Sequence, residues 1–445
     1  MQQNIFSRQR HRHRERGQTI LLVAISLVSL LAMAALAIDV VTLYVASSQI
    51  QRAADAAALA GAKAIADSGF TTLPPADPNY NTAQTLAQTM ATKAVNSMVG
   101  TSTINLVSGQ LPVMPAPPTF DFTTHPGSFQ IKVSLKSANL PTFFSKIWSG
   151  SAPTVTASAT AEAYNPSNLA TIAPIAPTSV KPWLVANQNP LDGAQFVNTV
   201  SGTWVVDSSA IGETLDLVSD CNSGRNNRCG PFINNPPQAI SSTTQVEYVP
   251  AAVTTPNTQN VCPACKGTTD YEQSIECADV ATSYQVLSCG GGAVQIQWDD
   301  GINPGANGNN ATGLGGECLI NPLGTGQDIL TEPTTMFSAP YQIKQQASGN
   351  LVTTSNSIVT IPILDTVPGV RLPRGGGAVT LDGFLQAFIN EVDTGASGGS
   401  SPPPAGSINI TVLNIVGCST ANNGATPVVG GAGTSPIPVR LITPP

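Results

Sequence analysis

The sequence predicts an α+β protein. A long N-terminal helix rooted in a membrane leads into a small α+β module, and a mainly-β, disulfide-containing domain follows. Three observations predict this. An uncharged apolar run of 20 residues, Thr19–Ile38, continues without a turn-former into helix-favouring sequence. From Trp183 onward, short β-prone runs are cut repeatedly by Gly, Pro and Asn. All eight cysteines lie beyond Asp220.

The apolar run comes first. At ~1.5 Å per residue, 20 helical residues cross the ~30 Å hydrocarbon core of a bilayer. Arg8, Arg10, Arg12, Arg14 and Arg16 precede it and Asp39 ends it. An excess of arginine on one flank marks that flank as cytoplasmic, so residues 1–16 read as a basic cytoplasmic tail and 17–38 as the span. Everything from Asp39 onward is then exported. A cleaved signal peptide is the competing reading, because "AMA" and "ALA" (Ala32–Ala37) offer small-x-small sites. The run exceeds the 7–15 residues of a signal h-region, which favours a retained anchor.

Residues 39–68 contain no proline and one glycine, Gly61. Leu43, Ile50, Ala54, Ala57, Gly61 and Ile65 share one helical face, while Arg52, Asp55, Lys63 and Asp67 fall mostly elsewhere. This is an amphipathic helix continuous with the span. Lys63 and Asp67 are spaced for a weak i,i+4 pair. The apolar face is thin: Ala54, Ala58 and Ala62 repeat every four residues, as do Ala57 and Gly61. Alanine is a good helix former, which accounts for part of this. Small side chains also let another backbone approach closely, so these five are the candidate helix-packing interface. The partner is either the chain's own sheet or a neighbouring subunit.

The stretch Arg16–Ala64, with its Arg-Gly pair, its "AID" exit, Leu43-Tyr44 and "QRAADAAALAGA", resembles the N-terminal segment of the TadE/TadG-like family. These are bacterial accessory proteins of Flp pilus assembly, the tight-adherence system. "TVTASATAEAYN" (Thr154–Asn165) resembles the strand that closes that family's N-terminal module. The resemblance implies a pilin-like module over residues 39–165, anchored in a bacterial inner membrane with its ectodomain periplasmic or surface-facing. It implies the lipid bilayer, other pilus-assembly proteins or pilin subunits as partners. Two family features are missing. Prepilin-peptidase substrates carry Glu five residues after the Gly, where this chain has Leu22 after Gly17. The metal-site pattern Asp-x-Ser-x-Ser is approached by "DSSAI" (Asp207–Ile211), which lacks its last Ser.

Within the module, a second helix is expected near Thr82–Ser97 and strands at Ser128–Lys136 and Pro153–Tyr164. Residues 166–182, including "TIAPIAPTSVKP", read as a Pro-stiffened linker. The domain at 183–445 shows β-prone runs such as "TTQVEYVP", "GAVQIQW", "SIVTIPIL" and "SINITVLNIV", closed by the C-terminal strand "IPVRLI". One helix interrupts them, "LDGFLQAFINEV" (Leu381–Val392).

Composition excludes some functions. Beyond the basic tail, 14 basic residues face 25 acidic ones, so no electrostatic footprint for nucleic acid exists. His11 and His13 lie in the tail, leaving His125 as the one exported histidine. "GASGG" (Gly395–Gly399) matches G-x-S-x-G, but it sits in a Gly/Pro-rich loop and His125 precedes it in the chain, against the order expected for a hydrolase elbow. No catalytic residue, cofactor or metal site is assigned.

"CPAC" (Cys262–Cys265) lacks the strand and helix of a redox site, and zinc would need a second close pair. Cys221, Cys229, Cys262, Cys265, Cys277, Cys289, Cys318 and Cys418 are read as disulfides. Cys221 with Cys229 is the first pairing expected, and the rest are open. The oxygen-rich "WDDGINPGANGNNATG" (Trp298–Gly313) departs from the calcium-loop register and reads as a surface loop. The expected role is scaffolding in pilus assembly or adherence. The alternative is an anchored or secreted β-rich surface binding protein that shares only the N-terminal module. An exported enzyme is a distant third.

Overall fold

A computed structural model describes residues 8–72, 77–100, 117–125, 128–137, 140, 153–168, 175–177, 180–198, 205–220, 236–240, 243–252, 265, 267, 269–277, 294–299, 301–302, 304, 311–322, 324, 326–331, 340–366, 371–393, 406–418, 428–429 and 436–442. The chain divides into two compact units. One holds Met1–Ala56, Ala94–Thr119 and Val133–Ala159, and the other Ala57–Lys93, Phe120–Lys132 and Thr160–Pro445. Residues 57–93 and 120–132 therefore belong to the same compact unit as the large β region.

Helix α1 runs from Arg8 to Ala66. Its large apolar residues from Ile20 to Met33 are exposed all round. The hydroxyls of this stretch are satisfied within the helix: Ser26 Oγ donates to Val23 O at 2.9 Å and Ser29 Oγ to Ser26 O at 2.8 Å. Such back-bonding lets hydroxyls sit in lipid without orphan donors. From Ala35 one face becomes buried, at Ala35, Asp39, Thr42, Ala46, Ile50, Ala53, Ala57, Gly61 and Ala64. These steps of three and four are those of one helical face. Helix α2, Tyr80–Gly100, covers the expected second helix.

Strands β1 (Thr119–His125), β2 (Ser128–Ser137) and β3 (Val155–Tyr164) follow. β2 alternates buried Phe129, Ile131, Val133 and Leu135 with more exposed residues, as a half-buried strand should. Described residues of the predicted linker take part in the fold. Ile175–Ala176 pairs in parallel with Val428–Val429. Lys181 is 1% exposed and its Nζ donates to Ile275 O at 2.6 Å. Burial pushes its ammonium down to about 7, against the opposing pull of Glu276.

The large β region is built on β4 (Trp183–Ala186), β5 (Thr214–Ser219), β6 (Gln245–Pro250), β7 (Val294–Trp298), β8 (Ile358–Leu364), β9 (Gly377–Val392) and β10 (Ile408–Gly417). Their order is β7-β9-β8-β4-β6-β5-β10, and β10 pairs back onto β9. Six strands thus close on themselves as a barrel, with β7 added beside the start of β9. β8–β4 and β5–β6 are parallel, and the other neighbours are antiparallel. All seven residues of β8 are buried, so the run "IVTIPIL" is apolar on both faces because both faces are covered. Two helices pack together near the barrel, α3 (Asp270–Glu276) and α4 (Ala311–Ile320). α3 starts on a capping box in which Thr269 and Glu272 serve each other's backbone.

Two expectations need correction. Leu381–Val392 is strand, not helix: it lies within β9, between β8 and β10. Its register against β10 shifts between Gln386 and Ala387, and again between Ile389 and Glu391. Each bulge resets the in–out alternation by one residue. The apolar spacing then mimics a helical period while the backbone stays extended. Gly383 fits the same account, since a Cβ there would sit 2.2 Å from Val416 O.

The C-terminal strand is the second correction. β11 (Val439–Ile442) does not close the barrel. It pairs antiparallel with β3 and completes a four-stranded sheet, β1-β2-β3-β11. Arg440 Nε donates to Glu162 Oε2 at 3.0 Å, and its guanidinium lies 4.7 Å from the centre of the Tyr164 ring. Burial raises the Glu162 carboxyl, but hydrogen bonds from Ser128 and Arg440, the Arg440 charge and Gln130 outweigh it and hold the group below its ordinary value. The stability it contributes is present above the unfolded carboxyl value and is lost as pH falls through the folded one. Arg440→Ala is expected to cost about 1–3 kcal/mol by leaving a buried carboxylate short of donors. The loss should shrink in acid, and urea unfolding at neutral and acidic pH measures both.

Candidate functional site

The residues that concentrate most of the predicted packing lie along the second half of α1. Ala54, Ala57, Ala58 and Ala62 are fully buried, and Gly61 is buried with them. The structure places all five against the chain's own fold. At Gly61 the approach is close: an added Cβ would stand 2.7 Å from Ile131 Cδ1 on β2 and 3.1 Å from Ala87 O on α2. No larger residue fits there without displacement. Ala64, Leu86, Met90 and Leu351 form a small apolar cluster further along the same helix. Below the end of α1, Phe70, Tyr80, Phe129 and Phe122 make an aromatic group with ring centres 5.7–6.1 Å apart.

The helix terminus is tied to the barrel by polar groups. A buried helix end leaves carbonyls that need donors. Asn414 of β10 donates from Nδ2 to Ala66 O at 2.8 Å and also to Gln386 Oε1. Its Oδ1 accepts from Thr71 Oγ1 at 2.8 Å. Gln386 of β9, the cross-strand partner of Asn414, donates from Nε2 to Asp67 Oδ1 at 3.0 Å. The other carboxylate oxygen of Asp67 pairs with Lys63. The chain then turns at Gly69 (φ 82°), a left-handed conformation that glycine adopts without strain. Tyr341 N donates to Ser68 O at 2.9 Å. The sequence offered the Lys63–Asp67 spacing, but nothing local pointed to Gln386 or Asn414.

Residues 17–64 match the family model described as Flp pilus-assembly TadE/G-like (Tad). No curated protein and no solved structure matches the chain. The Tad-like segment therefore spans the exposed apolar half of α1 and nearly all of its buried half. It stops at the start of the polar ties. The match supports involvement in Flp pilus assembly or tight adherence in general.

The remaining candidates fall as follows. Cys265 is disulfide-bonded to Cys318, with Cα atoms 5.7 Å apart, so "CPAC" does not hold its own disulfide. This bond staples the chain before α3 to α4. Cys277 and Cys418 are also disulfide-bonded. Cys221, Cys229, Cys262 and Cys289 lie outside the described residues, as does "GASGG". His125 ends β1. Asp207 of "DSSAI" caps a 3-10 turn, its Oδ1 accepting from Ser209 N at 2.9 Å. Asp299 likewise accepts from Gly301 N at 2.7 Å.

Two further carboxyls are perturbed. Glu213 is pushed up to about 7 by burial, with Asp192 and Asp207 adding to the rise and an Asn189 hydrogen bond of 2.8 Å opposing it. Asp382 is raised to about 7 by burial and by Asp365, while Asn187 donates to it at 2.7 Å. Among the described residues, no three His, Cys, Asp or Glu side chains are placed to hold a metal ion.

Gly61→Leu is expected to destabilise by about 1–3 kcal/mol through overpacking. A lower thermal midpoint of the detergent-solubilised chain would show it, and an unchanged midpoint would mean α1 is not clamped at Gly61. Burial raises the Asp67 carboxyl, with Lys63 and Gln386 partly offsetting the rise. A raised carboxyl costs stability as pH climbs from the unfolded value through the folded one. Asp67→Asn should therefore raise stability at neutral pH and flatten its acid-range pH dependence, as followed by urea unfolding across pH.

Proposed function

We propose that this chain is a single-pass membrane-anchored accessory protein of Flp-type pilus assembly or tight adherence, acting by scaffolding and packing without catalysis. The observation that carries the reading is the coincidence of two boundaries on α1. The Tad-like segment covers a helix whose first half is apolar and exposed and whose second half is built into a folded ectodomain. That is the arrangement of an anchor helix that runs on into the ectodomain. The arginine-rich flank supports a cytoplasmic N-terminus in the bacterial inner membrane, with the rest of the chain periplasmic or surface-facing.

The small residues of α1 are consumed inside the chain's own fold, so partners meet other surfaces. Those partners are other pilus-assembly proteins or pilin subunits. The disulfide-bonded cysteines fit an exported, oxidising compartment.

Gene deletion with complementation tests the role. Pili should be lost on deletion and restored by the intact chain, while Gly61→Leu should restore fewer. Intact pili with weakened attachment would instead favour a surface-binding protein. Maleimide accessibility of cysteines introduced at positions 5 and 100, with the mass of the mature N-terminus, decides orientation and processing.

A further inference from the structure

The sequence places the end of the membrane span at Ile38, because Asp39 is the first charge. The structure turns Asp39 inward. Its exposure is 3%, and Ala35, Thr42, Ala46 and Ile50 share that buried face. The outward face over the same turns carries Leu36, Ala37, Ile38, Val40, Val41 and Tyr44, all exposed, with Tyr44 76% exposed. The outward residues become polar only after this, at Ser47, Gln51 and Arg52. So the helix continues an apolar outer surface for about two turns beyond the sequence boundary, and the one carboxylate in that stretch is hidden from it. Thr42 causes no difficulty, because its hydroxyl donates to Ile38 O at 2.9 Å.

We infer that the outward face of α1 stays in lipid as far as Tyr44, so that the membrane surface lies between Tyr44 and Ser47 and the folded face of the helix enters the outer headgroup layer. This rests on the anchor reading above. Continuity argues for lipid as the occupant: the stripe is the uninterrupted extension of the apolar surface from Ile20 to Met33. Length agrees. Thr19 to Tyr44 is 26 residues, about 39 Å at ~1.5 Å per residue. That exceeds the ~30 Å hydrocarbon core and fits the ~40–45 Å that includes both headgroup regions. Tyrosine is itself a residue enriched at that interface.

The test uses the full chain with its disulfides intact, reconstituted in phosphatidylcholine vesicles. Single cysteines replace Val28, Val40, Tyr44 or Arg52, one per variant, each labelled with a bimane fluorophore under non-reducing conditions. Quenchers are lipids bearing a nitroxide at mid-chain or near the headgroup, and aqueous iodide. The expected pattern is a graded one. Position 28 is quenched most by the mid-chain nitroxide, 40 and 44 by the headgroup-proximal nitroxide, and 52 by iodide alone. Iodide quenching at 40 and 44 with lipid quenching kept at 28 would overturn the inference and leave the anchor standing. Protection of 40 and 44 from both quenchers would overturn it in favour of a protein contact. Loss of lipid quenching at 28 would bring down the anchor reading itself.

Discussion

The structure depends on how the end of α1 is satisfied. A helix that finishes inside a protein has terminal carbonyls that water does not reach. Here the barrel supplies the donor: Asn414 meets Ala66 O, and Gln386 meets the carboxylate one residue further on. These groups sit side by side on β9 and β10, so the position of the helix end is set by the register of two strands. A hydrogen-bonded tie of this kind specifies one seating far more sharply than apolar contact does. The thin face of alanine and glycine then brings the helix close enough for the tie to form.

β9 carries a second set of demands. It pairs with β8 on one side and with β7 and then β10 on the other. One 16-residue strand thereby closes the barrel, extends it and presents Gln386 to the helix. The two bulges against β10 reconcile these tasks by changing which residues face inward along its length. Val392, near its end, also receives α4, whose Gly316 lets the helix approach until a Cβ would lie 3.0 Å from the valine methyls.

Elements with a local cause were legible in the sequence. The apolar run, the small-residue face and the alternating strands each follow from a period that neighbouring residues express. α4 was not legible, because "ATGLGGECLI" has three glycines, poor helix formers, of which Gly315 and Gly316 serve close packing against Ile275 and Val392. α3 carried a capping box but is only seven residues long, too short to show a period. β9 was misread because bulged alternation and helical spacing can coincide. The ties at the helix end were invisible for another reason. Asp67 and Gln386 are 319 residues apart, and Cys265 and Cys318 are 53 apart. Such pairings belong to the topology, and no local pattern announces them.

The pairing of β11 with β3 has a consequence for how the chain is made. Glu162 and Arg440 are 278 residues apart in sequence. A chain made N-terminus first presents β3 long before β11 arrives. During that interval the edge of β3 has unpaired backbone groups, the kind of template on which other strands add. Glu162 meanwhile waits without its arginine. The edge of β3 is therefore open to wrong partners until β11 has been made and paired with it.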